Sequence, residues 1–204
     1  PYGIYAGCLP LKEWNCSVNI YDGIGSFKLS KNCSISGIGH VTVRNILEIT
    51  GNRREANDFV TIKAAQSHRH FYINGASDKL ILRYVKLVGG DVSTYKKEAG
   101  GGSILIRSNG GVLTLYSTII ANNKALDGGA LNAHGNNNVL IKIYNSSIIN
   151  NTATSSNGGL RIYKSEMYVY DSHISYNEVI GGVNMRGGVG IWESTKVGFF
   201  NTVI

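Results

Sequence analysis

The amino-acid sequence predicts an all-β chain wound into a parallel β-helix, a solenoid of stacked coils. Three observations carry that expectation. Two unrelated short motifs recur through the second half with one loose period of 26 to 30 residues. The segments between them alternate apolar and polar residues, the period of a strand with one buried face. The turns that join them are built of glycine and asparagine, which accept positive φ most readily.

Composition removes the competing classes. Of 204 residues 26 are glycine, and each one inside a helix would cost about 1 kcal/mol relative to alanine. No Gly-X-Y period exists, so collagen is excluded. Hydrophobic residues make up 43%, enough for a core and too many for wholesale disorder. No apolar stretch approaches the roughly 20 residues of a membrane-spanning helix, so no membrane span is expected.

Residues 1–35 read as an irregular N-terminal cap, and 36–204 as coils, most regular over 100–204. The cap holds all three cysteines, Cys8, Cys16 and Cys33. A disulfide there is expected in an oxidising compartment, but three thiols allow three pairings and leave one over. Short alternating segments follow: Val41-Thr42-Val43, Val60-Thr61-Ile62, Phe71-Tyr72-Ile73 and Leu80-Ile81-Leu82.

After residue 100 the repeat is explicit. A diglycine precedes alternating apolar residues at Gly101-Gly102, Gly128-Gly129, Gly158-Gly159 and Gly187-Gly188. The first apolar residues, Ile104, Leu131, Leu160 and Val189, are 27, 29 and 29 residues apart. A second motif, Ser/Thr-x-Ile-x-x-Asn, aligns Ile119, Ile148 and Ile174, with Ile204 as a partial fourth copy. The alignment predicts an aliphatic column at those positions and an asparagine ladder at Asn122, Asn151 and Asn177. One such unit buries too little to offset the entropy of ordering its own backbone, so the units must stack. The diglycines suit tight corners, where a Cβ would clash.

The alternation of a GG-apolar motif with an x-x-Asn motif resembles the repeats of chlamydial polymorphic membrane proteins, surface adhesins within the pectin-lyase-like superfamily. The resemblance covers residues 100–204, with Ile119, Ile148 and Ile174 where that family has Phe. It implies a right-handed β-helix and a surface-exposed adhesive or structural role.

Twenty basic against 13 acidic residues give a net charge of +7. That balance favours acidic partners, and anionic glycans are the expected class. The charges are scattered along the chain, with no run typical of a nucleic-acid tail, so nucleic acid is not expected. Outward strand tyrosines (Tyr144, Tyr163, Tyr168, Tyr170) could stack on sugars. Four N-x-[ST] sequons begin at Asn15, Asn32, Asn145 and Asn150, and they are glycosylation candidates if the chain is secreted by a eukaryotic host.

The six aspartates are dispersed with no Asp-x-Asp, so the paired carboxylates of polysaccharide cleavage are missing. His68 and His70 read as a surface pair on one strand, without a third ligand. No catalytic residue, metal or cofactor is therefore expected. The reading is a non-enzymatic, extracellular, cell-surface or particle-surface protein with a structural or adhesive role. The alternative is a polysaccharide lyase or hydrolase of the pectin-lyase-like superfamily. Pro1 fits a processed terminus. Because Ile204 falls inside a repeat, further coils or other protein chains are expected to stack beyond it, as in a filament or larger assembly.

Overall fold

The computed structural model describes residues 12–13, 23–30, 32–35, 39–52, 58–94, 99–107, 110–181, 187–194 and 196–204. Among them there is no helix, and hence none long and apolar enough to cross a membrane. The strands of the first coils are β1 (Lys12–Glu13), β2 (Gly23–Leu29), β3 (Cys33–Ser34), β4 (Val41–Gly51), β5 (Val60–Lys63), β6 (Phe71–Ile73), β7 (Lys79–Arg83) and β8 (Val85–Val88). Then come β9 (Ile104–Ile106), β10 (Val112–Tyr116), β11 (Ile119–Ala121), β12 (Lys124–Asp127), β13 (Leu131–Tyr144), β14 (Ser147–Ile149) and β15 (Thr152–Ser156). The last are β16 (Leu160–Tyr170), β17 (His173–Ser175), β18 (Glu178–Val179), β19 (Val189–Trp192) and β20 (Val197–Phe200).

These strands form three sheets. Sheet A has 11 strands, β1, β2, β4, β6, β7, β9, β10, β13, β16, β19 and β20. Sheet B stacks six, β3, β5, β8, β11, β14 and β17, and sheet C stacks β12, β15 and β18. Each strand pairing among the described residues is parallel. The result is a parallel β-solenoid of about 5 turns. Parallel stacking reaches back through β1 and β2, inside the stretch read as a cap. Cys33 is disulfide-bonded, while Cys8 and Cys16 lie outside the described residues.

The diglycine register is as the spacing predicts. Ile104, Leu131, Leu160 and Val189 lie directly over one another, and Phe71 and Val41 extend the same column. A second inward column in sheet A runs Leu47, Leu80, Leu113, Ile141, Met167, Val197. All but Val197 are fully buried, and the two columns share one continuous core. The glycine common to the corners is the one two residues before each anchor: Gly102, Gly129, Gly158 and Gly187. A Cβ on Gly129 would run into the carbonyl oxygen of Gly158, one coil away, so only glycine lets the coils close up here.

The isoleucine motif is one residue out of register in its first copy. Ile120, not Ile119, lies over Ile148 and Ile174, and Leu87 continues the column on the other side. Ile119 pairs with Ser147 and faces outward. A slip of one residue exchanges the two faces of a strand, and burial decides which isoleucine goes in. The asparagine ladder shifts with it. Asn123 is buried beside Asn151 and Asn177, whereas Asn122 is exposed at a corner with φ of 55°. The bridge from His173 to Val203 sets Ile204 over Ile174, where it is 58% exposed.

In the asparagine ladder each amide feeds the next coil. Asn151 Nδ2 donates to Ile120 O and Ile149 O, both at 3.0 Å, and to Asn177 Oδ1 at 2.9 Å. Its Oδ1 accepts from Asn123 N at 3.1 Å and Asn123 Nδ2 at 3.0 Å. A hydroxyl ladder marks the corner between sheets A and B. There an aromatic residue, a residue near φ of 45° and a Ser or Thr recur: Tyr116-Ser117-Thr118, Tyr144-Asn145-Ser146, Tyr170-Asp171-Ser172 and Phe200-Asn201-Thr202. The hydroxyls of Thr118, Ser146, Ser172 and Thr202 donate to the aromatic residue's own carbonyl at 3.1, 2.7, 2.6 and 2.9 Å. Ser146 Oγ and Ser172 Oγ accept from the backbone N of the preceding coil, each at 3.0 Å. Corner backbone groups that no strand can satisfy are thereby paired.

Candidate functional site: the outer face of sheet A

Because alternate side chains of a strand point outward, the parallel stack turns each outward position of sheet A into a column. The aromatic residue of the corner motif forms the first. Tyr116, Tyr144, Tyr170 and Phe200 stack with ring centroids 5.0, 5.1 and 4.7 Å apart and planes within 9° of parallel. The Arg83 guanidinium covers the free face of Tyr116 at 4.0 Å while its Nε donates to Glu48 Oε1 at 2.9 Å. Burial and the flanking Tyr116 and Tyr170 push the Tyr144 phenol above its usual range. Each ring face inside the column is thus taken by its neighbour, while Phe200 at its end is 49% exposed. Tyr144 and Tyr170 are outward as expected, yet this geometry denies them the face-on sugar stacking their positions suggested. Tyr168 sits two residues before Tyr170, with its hydroxyl on Glu166 Oε2 at 3.5 Å.

A second aromatic column runs through His134, Tyr163 and Trp192, in register across β13, β16 and β19. His134 stacks on Tyr163 at 4.7 Å, and Arg161 lies over the Trp192 ring at 5.6 Å. Tyr163 donates to Glu193 Oε1 at 3.2 Å, and Lys164 pairs with Glu193 Oε2 at 3.3 Å. Those bonds to Tyr163 and Glu193 raise the Lys164 pKa. Burial lowers the His134 pKa, and the positive charges of Arg161, Arg107 and Lys164 lower it further.

Sheet A also gathers the basic side chains that the sequence disperses. Lys28 stands on β2, Arg44 on β4, Lys79 and Arg83 on β7, and Arg107 beside β9. Lys142 follows on β13, Arg161 and Lys164 on β16, and Lys196 beside β20. Among the described side chains from β2 on, Glu48, Glu166 and Glu193 stand against these nine, with Asp171 exposed at the corner after β16, while Asp78 is turned in, accepting from Asn45 N at 2.9 Å and Gly75 N at 2.6 Å. The described strands of sheet B add Lys63 and Lys86, and those of sheet C set Lys124 against Asp127 and Glu178.

The other candidate positions lie apart from this face. Asn145 and Asn150 are exposed at the two ends of β14, and Asn32 is exposed before β3 with its Oδ1 accepting from Thr61 N at 2.7 Å; Asn15 lies outside the described residues. His68 and His70 do not form a surface pair. They precede β6 in a turn, and His70 is fully buried. Its Nε2 faces two carbonyls, Ile62 O and Val88 O, each at 3.1 Å, so Nε2 carries the proton and Nδ1 accepts from Ser103 Oγ at 3.1 Å. Burial lowers its pKa to about 4, against the small upward pull of those carbonyls. The imidazole therefore braces a corner in neutral form. Among the described residues no three His, Cys, Asp or Glu side chains gather as a metal site.

A shallow depression of about 660 Å³ lies between Ser34, Lys63, Ser67, Gly89 and Asp91. Asp91 is its one carboxylate, and Asp91 Oδ1 already accepts from Ser93 N at 2.9 Å and Ser93 Oγ at 2.7 Å. Asp171 belongs to a corner, accepting from Asn201 Nδ2 at 2.7 Å. No protein-family model, curated protein or solved structure matches the chain.

Proposed function

We propose that this chain is a non-enzymatic structural and adhesive element of an extracellular, cell or particle surface, and that it works by presenting the outer face of sheet A. The observation that carries the reading is the gathering of nine basic side chains and two aromatic columns on one sheet of a rigid stack. A solenoid holds such a face flat and regular without any conformational change, which suits passive binding. The likeness of the repeat to chlamydial polymorphic membrane proteins and pectin-lyase-like solenoids belongs to this proposal. So does glycosylation at Asn32, Asn145 and Asn150, whose side chains are exposed.

Phe200, Val203 and Ile204 are exposed on the coil of β19 and β20, and Tyr176 and Ile180 on the coil before it, and this apolar surface supports another protein chain as a partner there. Against polysaccharide cleavage speaks the depression's single, already engaged carboxylate, since acid–base cleavage of a glycosidic bond needs two placed groups. The test is adhesion of chain-coated beads to cell surfaces and to polysaccharide-coated surfaces, run beside an assay for released reducing or unsaturated ends. Adhesion without product is the expected result. Product formation, or beads that adhere no better than albumin-coated ones, would overturn the reading.

A further inference from the structure

The ligand class and its direction on sheet A can be read from the placement of charge, taking the adhesive reading as the starting point. We propose that sheet A binds a linear anionic polysaccharide lying along the stacking axis, so that successive sugar residues meet successive coils. Each layer from β2 to β20 supplies at least one cation. Glu48 lies against Arg83 at 2.9 Å, Glu193 against Lys164 at 3.3 Å and Glu166 against Lys196 at 3.9 Å. Among the described residues no carboxylate holds Lys28, Lys79 or Lys142.

The cations form a band. Arg44 and Arg107 share one outward column, Lys79 and Lys196 the next, and Lys142 the one after. Layers in a sheet are about 4.8 Å apart, close to the advance of one sugar residue in an extended polysaccharide. Duplex DNA carries a charge about every 1.7 Å and a single strand about every 3.4 Å, so phosphates outrun the coils. A chain lying across the sheet would meet one or two cations per layer, whereas a chain along it passes the five in these three columns, with Lys28 and Arg83 one outward column beyond Lys142 and Arg161 one before Arg107. The tyrosine edges add hydroxyls at the same coil spacing, suited to sugar hydroxyls rather than to an apolar partner.

The test measures binding of the full chain to heparin, polygalacturonate, neutral dextran and single-stranded DNA across a salt series. Lys79→Gln/Arg107→Gln/Lys142→Gln is compared with wild type and with Lys63→Gln/Lys86→Gln on sheet B. The expected result is salt-sensitive binding to one or both anionic polysaccharides, weakened at least tenfold by the sheet A triple and unchanged by the sheet B double. The slope of log K against log salt should fall by about two to three, near one per cation removed. Equal binding by triple and wild type, equal loss in the sheet B double, or tighter binding to DNA than to both polysaccharides overturns the proposal. Should the triple fail to fold, amide exchange of wild type with heparin decides: protection must fall on β7, β10, β13 and β16 and spare β11 and β14. A chain that adheres to surfaces but ignores both anionic polysaccharides keeps the adhesive role and sinks this inference alone.

Discussion

Truncating Asn151 to alanine is the sharpest probe of the stack. The side chain is fully buried, donates to three acceptors and accepts from two donors, all between 2.9 and 3.1 Å. Its removal strips the Asn123 backbone N–H of its acceptor in a site where Asn123 itself is 1% exposed. A buried hydrogen bond contributes about 1 kcal/mol net, and an orphaned buried donor costs about 1–3 kcal/mol. Asn123 Nδ2 and Asn177 Oδ1 keep other partners, so not every contact counts in full. The sum for Asn151→Ala is about 3–5 kcal/mol. Asn122→Ala is the control. That side chain is exposed with φ of 55°, so the substitution exchanges one left-handed residue for a less tolerant one, at about 1 kcal/mol. Urea denaturation reads both, and amide exchange on β11, β14 and β17 is needed beside it because a solenoid need not unfold in one step. A loss below about 1 kcal/mol for Asn151→Ala would refute the reasoning. So would an Asn122→Ala loss as large as that of Asn123→Ala.

Further outcomes follow from other parts of the stack. His70 has a folded pKa of about 4 against an ordinary 6.5, so the unfolded chain binds its proton first. Stability should be indifferent to this group above pH 6.5, fall by about 3 kcal/mol as pH drops from there to about 4, and level off below. The difference in urea midpoint between wild type and His70→Gln across that range isolates it from the carboxylates, and parallel curves would contradict the assignment. Gly129→Ala must force apart the backbones at Gly158 and Thr152, at a cost of about 3 kcal/mol, seen as a lower melting temperature. Tyr144→Ala removes two ring contacts, worth about 1–3 kcal/mol together, and should also reduce the near-ultraviolet circular dichroism of the column.

What was legible in the sequence was whatever only one register could satisfy. The diglycine anchors aligned correctly because an alanine at the invariant glycine cannot fit, so the motif has no neighbouring alternative. The isoleucine motif slipped because Ile119-Ile120 and Asn122-Asn123 are doublets, and a doublet fits two registers that differ only in which face is buried. The hydroxyl ladder was legible in three of its four coils, since the Ser/Thr of the isoleucine motif falls on Ser146, Ser172 and Thr202, and the same slip put Ser117 in place of Thr118. Aromatic-x-Ser/Thr stands at all four corners, but also at Phe59-Val60-Thr61, Tyr163-Lys164-Ser165 and Trp192-Glu193-Ser194, so the triplet alone does not mark the ladder. His70 was hidden for a different reason. It stands in the corner column of Ser103, Ala130 and Gly159, where no repeat pattern predicts an imidazole.

The scattering of basic residues along the chain, which in the sequence argued only against a nucleic-acid tail, has another meaning in a solenoid. Residues adjacent in sequence soon pass to different sheets, while residues a full coil apart lie side by side. A continuous patch must therefore appear in the sequence as single charges spaced a coil apart, and a dense run of charge would be spread around several faces. Lys79, Arg107, Lys142 and Lys196 share no cluster in the sequence, yet they share one face. The two polar ladders and the glycine corner fix the backbone path at the corners, so outward positions of sheet A such as Lys79 and Lys142 are left to carry charge that no carboxylate among the described residues holds. Among the described side chains the nine cations of this sheet outnumber its carboxylates, Glu48, Asp78, Glu166, Asp171 and Glu193. The proposed anionic polysaccharide would neutralise the cations that the fold itself leaves without a carboxylate, such as Lys79 and Lys142.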